Sequence, residues 1–146
     1  MYSPSMNDMA LARPLIRLIR AMHAVETRLE AALEPVGLSL AKLGALSKLV
    51  EAGEPLPLGN LAERLSCVRS NITQLVDRLE VEKMVVRIHD PNDRRSVRAA
   101  LTEEGRARYA AGVAAMDEAE KRLFGSMSSE DRALLLERLD ALASAG

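Results

Sequence analysis

The segment LAERLSCVRSNITQLVDRLE, residues 61–80, predicts two consecutive helices with a tight break between them. A short helix is expected over about 60–65, and Ser66 and Cys67 separate it from a longer helix over about 68–82. In the longer helix, apolar residues recur at helical spacing and share one face: Val68, Ile72, Leu75, Val76 and Leu79. A short helix joined to an amphipathic one by such a break is typical of a helix–turn–helix.

The opposite face of the longer helix is polar but has few long charged side chains, whereas a merely solvated face more often carries Glu and Lys. Asn and Gln can bridge N6 and N7 of adenine, and Arg can bridge O6 and N7 of guanine. The composition of this face therefore favours DNA readout over the alternative of a solvated surface. The candidate DNA-binding residues of the helix are Arg69, Ser70, Asn71, Thr73, Gln74 and Arg78.

The stretch VVRIHDPNDRRSVRAALT, residues 85–102, predicts a β-hairpin directly after this helix. A turn at 90–93 separates two alternating runs, whose inward-facing residues are expected to be Val86, Ile88, Val97, Ala99 and Leu101. A hairpin in this place is a wing, and its turn would project Arg94 and Arg95 away from the body of the protein. Arginines held in this way can enter the minor groove, and a solvated charged loop is the alternative.

Positive charge is concentrated around this hairpin, although the whole chain has a formal net charge of −1. Residues 61–110 carry 10 basic and 8 acidic side chains, whereas residues 111–146 carry 4 and 7. Within 83–98, five basic residues stand against two acidic ones. A local basic patch, rather than the overall charge, is what meets a phosphate backbone. The distribution therefore agrees with double-stranded DNA as the partner.

Length and composition predict one compact domain, since 146 residues with 48% hydrophobic content can bury a substantial core. The single cysteine excludes an internal disulfide and fits a reducing cytoplasm. Arginines interrupt the first apolar region, so neither a signal peptide nor a membrane-spanning segment is predicted. We therefore expect a cytoplasmic protein that does not bind membranes.

Four further helices surround the predicted helix–turn–helix and hairpin. They are expected over about 10–34, 40–52, 103–125 and 129–143. Ser39, Thr102 and Ser128 stand where the N-caps of the last three would lie. The Gly- and Pro-rich residues 53–57 predict a loop. The fold class is therefore mainly α with a small β-wing.

With these elements in order, the chain resembles the MarR type of winged-helix transcription regulators. The resemblance extends over about 10–143 and is strongest in LAERLSCVRSNITQLVDRLE, VVRIHDPNDRR and LTEEG. It implies a single MarR-like domain over 1–146, with dimerisation helices at 10–34 and 103–143 and a winged helix-turn-helix lobe at 40–101. The first and last helices of two copies would interleave into a frame, and the homodimer would bind a palindromic DNA operator. Members commonly act as repressors released by small aromatic or phenolic molecules.

The resemblance also implies roles for individual residues. By family position, Asp93 resembles the aspartate that braces the wing, and Arg95 the arginine that reaches the minor groove. The positions that contact bases and phosphates match Arg69, Ser70, Asn71, Thr73 and Gln74. Lys83 departs from the pattern, because the family usually has glycine just after the recognition helix. A lysine in left-handed geometry there would cost about 1 kcal/mol or shift the helix end.

Cys67 lies near the start of the recognition helix, close to Arg69, in a setting that can activate a thiol. Peroxide-sensing members of the family, however, carry their reactive cysteine in the first helix, and residues 10–34 contain none. A small residue in the turn is therefore the favoured role, and a redox-sensing regulator is the alternative.

Enzymatic chemistry finds little support in the sequence. His23 and His89 are isolated, and there is no metal-ligand cluster or Gly-rich phosphate loop, so we predict no enzyme, metal or cofactor. Three arginines recur at spacings of four and three near the family's effector pocket. These candidate effector-binding residues are Arg13, Arg17 and Arg20, with Leu15, Ile19 and Met22 as an apolar wall. Ordinary solvation of the arginines is the alternative.

Two functions from different classes remain open at this point. The first is a dimeric DNA-binding repressor controlled by an effector. The second is an interaction module that keeps the winged-helix dimer but binds a protein. The second would predict a recognition face depleted of Arg, Asn and Gln and a wing without arginines, and this sequence has the reverse.

Overall fold

The computed structural model describes residues 5–6, 12–66 and 69–146, apart from the side chains of residues 69–70 and 94–95. The elements in chain order are α1 (Pro14–Leu33), a 3-10 turn (Glu34–Val36), α2 (Leu40–Ala52), β1 (Leu56–Pro57), α3 (Leu58–Arg64), α4 (Arg69–Val81), β2 (Val85–Asp90), β3 (Asp93–Leu101), α5 (Glu103–Phe124) and α6 (Ser129–Ser144). The predicted fold class, helices with a small β-wing, is confirmed. Within the described residues, no helix is both long and apolar enough to cross a membrane.

The three predicted N-caps form as expected. The Oγ of Ser39 accepts a hydrogen bond from the backbone N–H of Lys42 at 3.1 Å. Thr102 Oγ1 accepts from Gly105 at 3.0 Å, and Ser128 Oγ accepts from Asp131 at 3.1 Å. Each bond satisfies an amide that the helix itself leaves without a partner, so these side chains define where α2, α5 and α6 begin.

The sheet has three antiparallel strands in the order β1-β3-β2, one more than the predicted hairpin. Leu56 pairs with Ala99 and Pro57 with Arg98, so the loop predicted over 53–57 is wrong at its last two residues. A two-residue strand has almost no pattern of its own and forms here because Leu56, 3% exposed, is held in the core. Pro57 is tolerated because β1 lies at the edge of the sheet.

The predicted inward face of the wing is wrong for β2. Val86 and Ile88 are 45% and 42% exposed, whereas Val85 and Ala99 are fully buried. The register explains this, because Val86 pairs with Ala100 and thus lies on the opposite side of the sheet from Ala99. Side chains alternate along a strand, so a phase error of one residue exchanges the two faces.

The core lies where α1, α2, α3, α4 and the sheet meet. The predicted apolar face of α4 is confirmed for Ile72, Val76 and Leu79, which are fully buried, while Leu75 is half-buried and Val68 lies outside the described residues. The largest fully buried side chains are Leu33, Leu46, Leu61, Ile72, Leu79, Met84, Val76 and Val85. Leu33 belongs to the last turn of α1, so the first helix ends inside the core of the winged-helix lobe.

Polar contacts attach α1 and α5 to this lobe around the 3-10 turn. The carboxylate of Glu30 on α1 accepts a hydrogen bond from the backbone N–H of Leu40 at 2.8 Å. Arg108 on α5 donates from Nη1 to the carbonyl of Val36 at 2.9 Å. Gly37 follows with a φ of 73°, and its missing Cβ leaves room for the Arg108 guanidinium. The orientation of the lobe on the long helices is therefore set by specific contacts.

The end of α4 confirms the departure expected at Lys83. Lys83 has a φ of 65°, the left-handed geometry in which glycine is preferred. Its N–H donates to the carbonyl of Glu80 at 3.0 Å, and the N–H of Met84 donates to Leu79 at 2.9 Å. These two bonds form a Schellman motif, which ends the helix where the family pattern ends it. The helix end is therefore not shifted, and the left-handed backbone of Lys83 costs about 1 kcal/mol.

Candidate nucleic-acid interface

The exposed face of α4 carries the polar residues that the sequence predicted for DNA readout. Asn71, Thr73, Gln74 and Arg78 are all exposed. They alternate with the buried Ile72, Val76 and Leu79 at helical spacing, so the polar face is turned away from the core. The backbone of Arg69 and Ser70 forms the first turn of this helix, whereas their side chains and Cys67 lie outside the described part of the structure.

The short helix α3 supports α4 from behind. Leu61 and Ala62 are 0% and 5% exposed and belong to the same core as the inner face of α4. At the end of α3, Leu65 donates its N–H to Leu61 and Ser66 donates to Glu63, both at 3.1 Å. Ser66 has a φ of 54°, so the chain leaves the helix sharply at this residue. This arrangement is the predicted helix–turn–helix.

The wing is the β2–β3 ribbon, and its tip lies at Asp90–Asp93. Asp90 accepts a hydrogen bond from the N–H of Asn92 at 2.9 Å, which stabilises the turn. Arg98 on β3 stands 3.9 Å from the same carboxylate. Arg94 and Arg95 are part of β3, immediately after the turn rather than inside it, and their side chains lie outside the described part. The bracing role of Asp93 stays a prediction.

Arg87 on β2 is the interface residue that the sequence analysis missed. Its Nη1 donates to Glu80 Oε1 at 2.8 Å, and its Nη2 donates to Asp77 Oδ1. Its own backbone N–H donates to Glu80 Oε2 at 3.0 Å, and Nη2 also stands 3.4 Å from the carbonyl of Thr73. The guanidinium thereby connects the wing to two successive turns of α4. The hint in the sequence was an arginine at a strand position three residues before Asp90, where the tip of the hairpin begins.

The ion pairs of Arg87 reduce the excess of positive charge that the sequence predicted around the hairpin. Burial disfavours its charged form, but the hydrogen bonds to Asp77 and Glu80 outweigh this effect and raise the pKa of the guanidinium. Arg87 was counted among the basic residues of 83–98, yet two carboxylates compensate it. It is therefore part of the scaffold of the interface and not a cation directed at phosphate.

The candidate effector residues lie on the first helix. Arg13 is the N-cap residue of α1, and Arg17 and Arg20 are exposed within it. At about 100° per residue, these two arginines fall on the opposite side of α1 from Leu15, Ile19 and Met22. The arginines and the expected apolar wall therefore do not form one pocket within this helix.

An exposed hydrogen-bonding helix, packed on a shorter helix and tied to an antiparallel ribbon, defines the winged helix-turn-helix class of proteins. A family model described as "MarR family" matches residues 38–97, the part that contains these elements. This match confirms, for residues 38–97, the resemblance to the MarR family found in the sequence.

Individual relatives are similar to the chain at moderate identity. The HTH-type transcriptional repressor MdtR of Bacillus subtilis is 28% identical over 102 residues, which cover 70% of this chain. The chain spans 65% of the length of MdtR and 61% of MhqR from the same organism. These relatives are regulators by name, which agrees with the expectation that the chain is not an enzyme.

Three solved structures extend the similarity over almost the whole chain. A MarR-family regulator from Rhodococcus sp. RHA1 is 29% identical, with a TM-score of 0.77 and coverage of 97% of both chains. The repressor CouR, solved with a 23-mer DNA duplex, is 28% identical with a TM-score of 0.83 and covers 97% of this chain and 99% of its own. CouR from Rhodococcus jostii RHA1 was also solved with p-coumaroyl-CoA, at 29% identity, a TM-score of 0.76 and coverage of 94% and 96%.

Proposed function

We propose that the protein is a sequence-specific DNA-binding transcriptional regulator, acting in the cytoplasm as a homodimeric repressor. The observation that carries this proposal is the exposed face of α4 with Asn71, Thr73 and Gln74, on the helix that Arg87 connects to the wing. These side chains suit base edges in the major groove, while a ribbon beside the helix suits the neighbouring minor groove. The DNA duplex bound by CouR supports the same use of this fold.

The homodimer is supported by apolar surface that the single chain leaves uncovered. On α1, Leu15, Ile19 and Met22 are 65%, 52% and 53% exposed. None of the residues of α6, all of which are described, is buried, although the helix is rich in leucine. Exposed apolar surface on this scale marks an interface. A second copy that covers both helices would bring two α4 helices to half-sites about 10 base pairs apart.

Selection from a pool of random duplexes tests the proposed function. The protein is expected to enrich a palindromic sequence whose half-sites are separated by about one helical turn. Recovery of duplexes without a shared sequence, bound only through their charge, would contradict it. Such a result would favour the alternative of a winged-helix dimer that binds a protein partner.

Base-reading residues should be separable from the rest of the surface by mutation. We expect Asn71→Ala and Gln74→Ala each to cost about 1–3 kcal/mol on the best selected duplex and to relax the preference at one base pair. The reason is that each amide can make two hydrogen bonds to one adenine. Glu118→Gln, an exposed change on α5, is the control and should bind like the wild type. Equal losses on selected and random DNA would contradict base readout.

An anionic aromatic effector is the proposed signal for release. Arg17 and Arg20 form an exposed cationic strip on α1, with Arg13 at its start, and can hold a carboxylate or phenolate. The apolar wall would have to come from another helix or from the second copy, because Leu15 and Ile19 lie on the other side of α1. The p-coumaroyl-CoA bound by CouR supports an aromatic ligand.

A salicylate titration against the protein–DNA complex tests this effector proposal. A tenfold loss of DNA binding requires a difference of about 1.4 kcal/mol in the affinity of the ligand for the two states. Arg17→Ala should abolish the response while leaving DNA binding intact, and Arg138→Ala on α6 is the matched control. If no aromatic carboxylate or phenol shifts binding, and Arg17→Ala behaves as wild type, the anionic effector is wrong.

A further inference from the structure

Arg87 has an unusual place in the interface, since it lies on the wing but makes its contacts with the recognition helix. Its side chain is 22% exposed, whereas those of its partners Asp77 and Glu80 are 57% and 40% exposed. Arg87 is therefore the more buried partner in both ion pairs, and the two carboxylates are the more exposed ones.

The contacts of Arg87 come from both its side chain and its backbone. Nη1 and the backbone N–H donate to the two oxygens of Glu80, at 2.8 and 3.0 Å. Nη2 donates to Asp77, one turn earlier on the same helix. The guanidinium is planar, so its N–H donors have fixed directions and can bond both carboxylates at once. A lysine ammonium is a point charge on a flexible stem and does not fix these directions. The arrangement therefore fixes both the distance and the direction of β2 relative to α4.

The direction of β2 is also the direction of the wing, because the strand runs from Val85 directly to the tip at Asp90. Near α4 the sheet is buried through Val85 and Ala99, but the outer half of β2 has exposed residues on both faces. Packing thus holds the ribbon at its end near α4, and Arg87 makes a polar contact between the middle of the ribbon and the recognition helix.

We propose that Arg87 is a positioning residue for DNA binding: it locks the wing to the recognition helix so that both elements engage one half-site together. The proposal rests on the proposed function, since it concerns how the same interface meets DNA. Asp77 and Glu80 are its anchors on α4 and are not base-reading residues. Arg95, the predicted minor-groove residue, depends on Arg87 for its placement.

The test is a footprint of Arg87→Lys on the best duplex recovered by selection. The lysine keeps the positive charge but lacks the planar set of N–H donors. Protection of the major groove should persist, protection of the flanking minor groove should be lost, and affinity should fall about tenfold. The double variant Arg87→Lys/Arg95→Ala should bind DNA almost as well as Arg87→Lys alone, because the wing is already disengaged in the single variant. Arg98→Lys, in the neighbouring strand and 3.9 Å from its carboxylate partner, is the control and should bind like the wild type.

A second variant separates positioning from charge. Asp77→Ala/Glu80→Ala removes the anchors and makes the surface more positive, so a purely electrostatic role predicts tighter DNA binding. Positioning predicts the same loss of minor-groove protection as in Arg87→Lys. Both substitutions replace half-exposed or exposed side chains, and thermal unfolding establishes that the variant is folded.

The outcomes distinguish this proposal from the proposed function. Full minor-groove protection in Arg87→Lys, or tighter binding with an unchanged footprint in the double alanine variant, overturns the positioning role while DNA binding stands. The absence of any protected site with the wild-type protein overturns the proposed function itself.

Discussion

Replacing Leu136 and Leu139 by glutamate is expected to convert the protein into a monomer and to weaken operator binding about a thousandfold, the typical lower margin between specific and non-specific DNA affinity. Both leucines lie on α6 and are 56% and 44% exposed in the single chain. A carboxylate at either position would be buried without a partner if the second copy covers this face. The cost of burying such charges opposes association directly.

Exposed leucines on α6 lie beside a groove between the two last helices. A groove of about 550 Å³ runs between α5 and α6 and is lined by Phe124, Leu135, Leu136 and Leu139, together with charged residues at its rim. Leu134 lies on the other side of the helix and is 47% exposed. Leucines on opposite sides of one helix indicate that the helix is buried on more than one side. The single chain does not bury α6, and this exposure supports the proposed second copy.

Mass measured by sedimentation at micromolar concentration checks the prediction, together with the affinity for the selected duplex. Ala133→Glu is the matched control, because it adds the same charge on the polar side of α6, near Glu137 and Asp140. It should remain a dimer. The lobe core should stay folded in both variants, since neither leucine is buried there. A wild-type protein that is already monomeric would contradict the dimer, and so would a double variant that still dimerises.

What could be predicted from the sequence was mostly local. Ser39, Thr102 and Ser128 cap helices through bonds to residues three positions later, so the pattern and the structure report the same short-range chemistry. The left-handed geometry of Lys83 could be expected because the resemblance places a glycine at this position, directly after the recognition helix. Helical periodicity likewise predicted which side of α4 is buried.

The errors came from contacts between distant segments. Strand β1 has two residues and exists because β3, some forty residues later, offers it a free edge. The inner face of β2 depends on register, and the buried Met84 and Val85 show that the apolar run begins one residue before the predicted one. Arg87 has a role because Asp77 and Glu80 face it, and a count of basic residues cannot include that pairing.

Gly105→Ala is expected to lower the free energy of unfolding by about 3 kcal/mol, although alanine is the better helix former. Gly105 lies in the first turn of α5, where an added Cβ would stand 2.1 Å from the carbonyl oxygen of Met84. That oxygen accepts a hydrogen bond from the N–H of Thr102 at 3.1 Å, and Thr102 Oγ1 donates to the carbonyl of Lys83 at 2.6 Å. The backbone after α4 is thus held on both sides and cannot move away cheaply.

Urea unfolding at one fixed protein concentration measures the effect, because the stability of the proposed dimer would depend on concentration. Gly59→Ala is the matched control: nothing lies within 4 Å of its added Cβ, so the same substitution should be neutral or stabilise slightly. Lys83→Gly acts at the same joint in the opposite direction and should add about 1 kcal/mol by relieving the left-handed lysine. If Gly105→Ala were as stable as Gly59→Ala, α5 could move away from the Met84 carbonyl without a loss of stability. The close approach of α5 to the Met84 carbonyl would then not be what holds the lobe on the long helices.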